Sequence, residues 1–213
     1  MSHDESASDS SLAEAVPAAG RRRALPGERR TQILQALAAM LERPGAERIT
    51  TAALAAELGV SEAALYRHFA SKAQMFEALI DFIEASVFGL VGQIRTREPE
   101  GPPQAARMAA AVLQFGERNR GLVRVMAGDA LVLEHERLQE RMNLLFDKLE
   151  AALRQSLRDG AAAEGSALTP DASARVAASV LTAFVAGRLQ RYARSGFRRL
   201  PTEQLEACLA RVL

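Results

Sequence analysis

The stretch that most limits what this chain can fold into is Ile49 to Lys72, "ITTAALAAELGVSEAALYRHFASK". Thr50 or Thr51 offers an N-cap oxygen for "AALAAEL", Gly59 supplies the left-handed residue that stops the segment, and Ser61 caps the next one with Glu62 following. Two short helices joined by a tight glycine turn are the predicted result. Leu54, Leu58, Val60 and Leu65 are the apolar positions that lock such a pair at a steep angle, and Ala55 is small where they cross. This is the spacing of a helix-turn-helix.

The flanks extend the motif. Ile33, Leu34, Leu37, Met40 and Leu41 repeat as one buried helical stripe, and "RPG" at Arg43 to Gly45 ends it. Residues 28–69 then read as a three-helix unit. Before it, Arg21, Arg22, Arg23, Arg29 and Arg30 place five guanidinium groups within ten residues. An Arg-rich arm next to a short, polar second helix is what a major-groove reader requires. Small Ala63 and Ala64 allow close approach to base edges, and Tyr66, Arg67 and His68 would stand at the helix end against phosphates. The alternative for Tyr66 and His68 is half-buried packing in a helical hairpin.

Composition narrows the class. At 213 residues the chain suits one mid-sized unit or two small ones. Cys208 is the only cysteine, so neither an intramolecular disulfide nor a four-cysteine zinc site can be built. Residues 1–27 hold scarcely any large apolar side chain and are expected to form a mobile tail. Within it, Asp4, Glu5, Asp9 and Glu14 give residues 1–20 a charge of −4, leaving 27 basic against 22 acidic residues beyond it. No signal-peptide core and no membrane-spanning apolar run are evident, which predicts an intracellular protein. The three histidines are scattered, no phosphate-binding glycine loop occurs, and "EHE" at Glu134 to Glu136 reads as a solvated helix face; neither enzyme chemistry, a metal nor a cofactor is expected.

Past the three-helix unit the pattern stays helical. Met75, Phe76, Leu79, Ile80, Ile83, Val87, Leu90, Val91 and Ile94 make a broad stripe, "EPEGPP" breaks the chain, and Gln104 to Arg118 resumes a helix. A long helix is predicted over Ala130 to Arg158, and "DGAAAEGSALTP" is a flexible link. Val176, Val180, Leu181, Phe184, Val185, Leu189 and Tyr192 line another helix, and Leu205, Leu209 and Val212 the last. So many apolar positions in two helices suggest a dimer interface, with a purely intramolecular core as the alternative. With Met75 as the origin and 100° per residue, Phe82 falls at the edge of the stripe, either half exposed or an edge core residue.

The residues from Arg29 to Ile83 resemble the DNA-binding domain of the TetR family: a T-x-x-x-L-A opening, G-V-S at the turn, and L-Y-x-H-F with a following lysine. Ala70 stands where that family usually has proline. Beyond the domain, "FGERNRGLVRVMAGDALVLE" and "RLQERMNLLFDKLEAALRQSLR" resemble the branch of the family devoted to nucleoid occlusion. The resemblance implies an all-α homodimer with a tail (1–27), an N-terminal three-helix helix-turn-helix DNA-binding domain (28–75) and a C-terminal helical dimerisation and regulatory domain (76–213).

It further implies binding of one or two dimers to a palindromic double-stranded DNA site on the nucleoid, in the cytoplasm, and antagonism of the cell-division tubulin homologue FtsZ. DNA contacts are expected from Arg29, Arg30, Arg48, Thr50, Thr51, Ser61, Glu62, Ala63, Tyr66, Arg67, His68 and Lys72. FtsZ contacts are expected from Phe82, Leu90, Gln114, Glu117, Arg118 and Asn119, although Leu90 and Gln114 stand where the family usually has arginine and glycine. Leu181, Phe184, Val185, Arg188, Leu189 and Tyr192 are expected at the dimer interface. The competing function is a repressor released from DNA by a small molecule held in the body.

Overall fold

The computed structural model describes residues 27–43, 49–158 and 169–213. Those residues form nine α-helices: α1 (Glu28–Leu41), α2 (Thr51–Glu57), α3 (Glu62–Tyr66), α4 (Lys72–Arg97), α5 (Pro102–Arg118), α6 (Arg120–Met126), α7 (Glu136–Arg158), α8 (Pro170–Arg194) and α9 (Leu205–Val212). The all-α class read from the sequence is the one observed.

Local chemistry explains the head, α1 to α3. Thr50 caps α2, its hydroxyl oxygen accepting from the Ala53 amide at 3.1 Å, and Ser61 caps α3 by accepting from Ala64 at 3.3 Å. Gly59 adopts φ +62° and closes a Schellman turn: its own amide donates to Ala56 O and the Val60 amide to Ala55 O, both at 3.0 Å. Ile33, Leu37, Leu41, Ile49, Leu54, Ala55, Leu65 and Phe69 close the core beneath these turns. The 5-residue α3 is held at both ends by its caps and by this core.

Ser71 caps α4, whose 26 residues carry the chain from the head into the body for about 39 Å. Its buried stripe runs Met75, Phe76, Leu79, Ile80, Ile83, Val87 and Val91. Leu90 and Ile94, read as members of that stripe, are half-buried at its border. In the body α5 packs on α4, α7 and α8, while α7 and α8 lie along each other over the longest contact in the molecule. Short α6 is wedged between α1 of the head and α8 of the body. There Gly121 meets the backbone of Ala38: a Cβ at this position would stand 2.0 Å from the Ala38 carbonyl oxygen.

Three expectations change. The helix predicted from Ala130 begins only at Glu136. Gly128, at φ +82°, turns the chain out of α6 into a 3-10 turn over Asp129–Leu131, and Val132 and Leu133 project into solvent before α7 starts. Most of the predicted link, residues 159–168, lies outside the described residues; Thr169 and Pro170 at its end cap and open α8. Finally, α8 is long and apolar enough, by length and composition alone, to cross a membrane, which the reading of apolar runs had not found. It is nonetheless a helix of this bundle, with Ala178, Leu181, Val185, Leu189 and Tyr192 fully buried on one side.

Candidate nucleic-acid interface and partner groove

Around α3 the head presents an uninterrupted polar surface. Ser61, Glu62, Ala63, Tyr66, Arg67 and His68 are exposed, while Leu65 and Phe69 between them are 1% exposed and anchor the helix. Tyr66 keeps 46% of its surface in water, so the packing alternative for Tyr66 and His68 is not the one the fold adopts. Exposed Thr50, with the open amides at the start of α2, lies on the same end of the two-helix unit.

Several residues expected to face DNA are instead engaged within the protein. The Thr51 hydroxyl donates to Glu62 Oε2 at 2.5 Å, fixing α2 to α3 rather than leaving either side chain unoccupied. The Arg30 guanidinium lies 4.0 Å above the Phe69 ring and donates to His68 O at 2.6 Å, so it closes the C-terminus of α3 over a distance of 38 residues in sequence. Arg29 donates to Gln32 at 2.9 Å. The Lys72 ammonium is paired with Glu134 and sits 5.7 Å from the Phe76 ring, so in the protein alone it is occupied rather than open. Arg48 lies outside the described residues, as do Arg21, Arg22 and Arg23.

Between α4 and α5 the structure gathers five of the six residues expected to meet a protein partner. Phe82, Leu90, Gln114, Arg118 and Asn119 line one groove of about 340 Å³ between α4 and α5, with Ser86, Ala111 and Phe115. Phe82 is 53% exposed, which decides between the two readings of its helical phase in favour of a surface aromatic. Phe82, Arg118 and Asn119 also border a hollow of about 400 Å³ that reaches Leu34, Gln35 and Ala38 of α1. The groove therefore crosses from body to head. Its α1 wall was missed in the sequence, where Leu34 reads as an ordinary member of the buried stripe.

Glu117 departs from that set. Its carboxylate accepts a hydrogen bond from the Thr202 hydroxyl and its carbonyl accepts from the Tyr192 hydroxyl at 3.3 Å, so it ties α5 to α8 and to the segment before α9, away from the groove. Asn119 has two roles. It is the joint between α5 and α6, donating from Nδ2 to Phe115 O at 2.7 Å, and it also borders the groove.

The dimer residues need the largest correction. Leu181, Val185, Leu189 and Tyr192 are each 0% exposed within the single protomer, where they pack into its own core. Such side chains cannot also meet a second copy. Phe184 and Arg188 are half-buried at the border of that face, the guanidinium 4.9 Å from the ring and donating to Glu203 O and Cys208 Sγ of the same protomer at 2.9 Å each. Val176 and Val180, at 55% and 49% exposure, continue their row. Gly187 belongs to this outer face and has no atom within 4 Å of where a Cβ would stand.

Ion pairs fasten α4 to α7. Arg137 holds Glu77 at 2.8 Å, Arg141 holds Asp81 and Glu84 at 2.7 Å each, and Lys148 holds Glu84 at 2.8 Å. The hydrogen bond from Lys148, with Arg141 adding to it, keeps the Glu84 carboxyl below its usual pKa against the opposing effect of burial.

Comparison with known proteins agrees with this geometry at both levels. Residues 33–79 match the description "Bacterial regulatory proteins, tetR family", and residues 105–211 match an SlmA-like "Tetracyclin repressor-like, C-terminal domain". The nucleoid occlusion factor SlmA of Idiomarina loihiensis is 48% identical over 179 residues, covering 84% of this chain and 90% of its own. That of Photobacterium profundum is 50% identical with the same coverage. Among solved structures, the fatty acid degradation regulator FadR of Bacillus halodurans superposes with a TM-score of 0.68 at 15% identity, over 87% of this chain and 95% of its own, a likeness of fold alone.

Proposed function

The chain belongs to the tetR family of bacterial regulatory proteins, among the nucleoid occlusion factors SlmA, and from that premise we propose how its two surfaces divide the work. As a member of that group it is a DNA-binding regulator and not an enzyme. Two copies pair through the outer faces of α8, with Val176, Val180, Phe184 and Arg188 in the seam, and present their α3 helices to the two halves of a palindrome. In each head Ser61, Ala63 and the start of α3 meet base edges, and Thr50, Tyr66, Arg67 and His68 meet phosphates. The assembly resides on the nucleoid in the cytoplasm.

The DNA-bound dimer uses the groove between α4 and α5 to engage FtsZ and prevent division-ring assembly over the chromosome. The observation that carries this reading is the convergence of Phe82, Leu90, Gln114, Arg118 and Asn119 on that one groove. A half-exposed aromatic beside an arginine fits a partner segment with an apolar anchor and a carboxylate. Leu90 and Gln114 make the floor less polar and less open than arginine and glycine would, so FtsZ is held here more by apolar contact.

The test is to sediment FtsZ polymers in the presence of palindromic DNA and either the wild-type chain or Arg118→Glu. The wild type disassembles the polymers and the variant does not, while both bind the DNA equally. Full antagonism by the variant overturns the groove assignment. A wild-type chain that leaves the polymers intact but loses DNA on addition of a small-molecule effector is the ligand-released repressor instead.

A further inference from the structure

The ion pairs between α4 and α7 share a polarity that breaks at one place. At Glu77–Arg137, Asp81–Arg141, Glu84–Arg141 and Glu84–Lys148, α4 supplies the acid and α7 the base. At the head end the order is reversed: Lys72, the first residue of α4, supplies the cation, and Glu134, in the turn before α7, the anion. This pair is also sheltered, the two side chains keeping 25% and 13% of their surface. A pair that only braced α4 against α7 would work equally well in the common polarity. The reversed one puts the positive charge on the DNA-binding side, one short turn beyond exposed Tyr66, Arg67 and His68.

Glu134 is thus positioned to neutralise a cation that DNA could use. An ammonium has three donors and one charge, and a phosphate oxygen competes with the Glu134 carboxylate for both. While Glu134 holds Lys72, phosphates near it meet a neutral pair.

We propose that Lys72–Glu134 is a latch between head and body that DNA opens: a phosphate takes the ammonium, and the turn over residues 132–135 is released from α4. The proposal rests on the DNA-binding reading above. It makes Glu134 a body residue that sets DNA affinity, and it makes its turn, where Val132 and Leu133 stand exposed, the part of the body that responds to occupancy of the head.

The test measures affinity of the full chain for a palindromic duplex, recovered by selection from a random pool, over a series of salt concentrations. Glu134→Gln retains an oxygen acceptor but not the charge. It binds about fivefold tighter than wild type because no ion pair has to be broken, while its plot of log affinity against log salt runs parallel to the wild-type plot, since Lys72 reaches the phosphate in both complexes. Glu136→Gln, the same charge change two residues away, leaves the affinity within about twofold of wild type. Adding Lys72→Gln to Glu134→Gln abolishes the gain.

A Glu134→Gln chain that binds no tighter than wild type, an equal gain in Glu136→Gln, or a gain that survives the double substitution each overturns the latch. A wild-type chain without salt-dependent DNA affinity removes the DNA-binding reading itself, and the latch with it. The unmodified chain gives a second readout. The Glu134 amide donates to Leu131 O at 3.0 Å and the Leu138 amide to His135 O at 2.9 Å. Saturation with DNA speeds their hydrogen exchange about threefold or more, as local opening requires, and exchange that is unchanged or slower overturns the proposal.

Discussion

Gly121→Ala is the perturbation whose outcome the geometry fixes most tightly. The added methyl would lie 2.0 Å from Ala38 O, 2.9 Å from Ala38 C and 3.3 Å from Ala38 Cα, all of them backbone atoms of α1. Ordinary contact needs about 3.5 Å, so α1 and α6 must part by roughly 1.5 Å, and no rotamer change can absorb the clash. Overpacking costs about 1–3 kcal/mol in general, and a collision with backbone belongs at the upper end. Because α1 carries the head, the same displacement moves α3 relative to the body. In a dimer it changes the spacing of the two recognition helices against a fixed DNA repeat.

The assay has two arms. Urea unfolding is expected to show a loss of about 2–3 kcal/mol, and titration with a palindrome a loss of about tenfold or more while non-specific binding, carried by phosphates, is retained. Gly89→Ala is the comparator. Gly89 lies in α4 with nothing within 4 Å of a Cβ, so alanine there should stabilise by about 0.5–1 kcal/mol. If Gly121→Ala unfolds at the wild-type urea concentration and binds the palindrome normally, the tight junction between head and body is refuted.

Two further outcomes test the body. Val180→Glu places a charge on the outer face of α8 and is expected to shift the chain toward monomer in sedimentation equilibrium without loss of helix content, whereas Leu189→Ala, in the protomer core, costs about 2–5 kcal/mol of stability; a Val180→Glu chain that stays fully dimeric rejects the outer-face seam. Glu84 has its pKa held below 4.5 in the folded protein, so its contribution to stability is complete above that pH and is lost as pH falls through the lowered value. Glu84→Gln should therefore flatten the acid limb of the stability–pH curve, and an unchanged limb would show that the Lys148 and Arg141 contacts contribute nothing there.

The head was legible because its determinants are local. Thr50, Gly59 and Ser61 act on amides or carbonyls three to five residues away, distances that a sequence displays directly. The edge position of Phe82 is readable for a similar reason, since helical phase accumulates predictably from Met75, but the fold alone decides that it is exposed. Lys72 and Glu134 are 62 residues apart and Glu117 and Thr202 are 85 apart, and no period or cap connects either pair. The start of α7 was misplaced by a feature that is local but reads differently in sequence. "AGDALVLEHE" is apolar and polar at intervals a helix could accept, and only the left-handed backbone at Gly128 and the burial of Leu131 divert it.

The difficulty at α8 is of another kind. A helix with a single buried face betrays it by periodicity, because its other side is polar. In α8 the inner row Leu181, Val185, Leu189 and the outer row Val176, Val180, Phe184 are both apolar, so the period fades and the composition approaches that of a membrane span. Arg175, Arg188, Arg191 and Arg194 do not restore the contrast, because they are interspersed with the apolar outer row. The loss of periodicity is therefore itself the sign of two apolar contacts. The inner one is satisfied by α7 within the protomer, and the outer one, interrupted by small Ala183 and Gly187, leaves Val176 and Val180 exposed. Assigning residues to a dimer from apolarity alone selects Leu181, Val185, Leu189 and Tyr192, which the protomer's own core already buries.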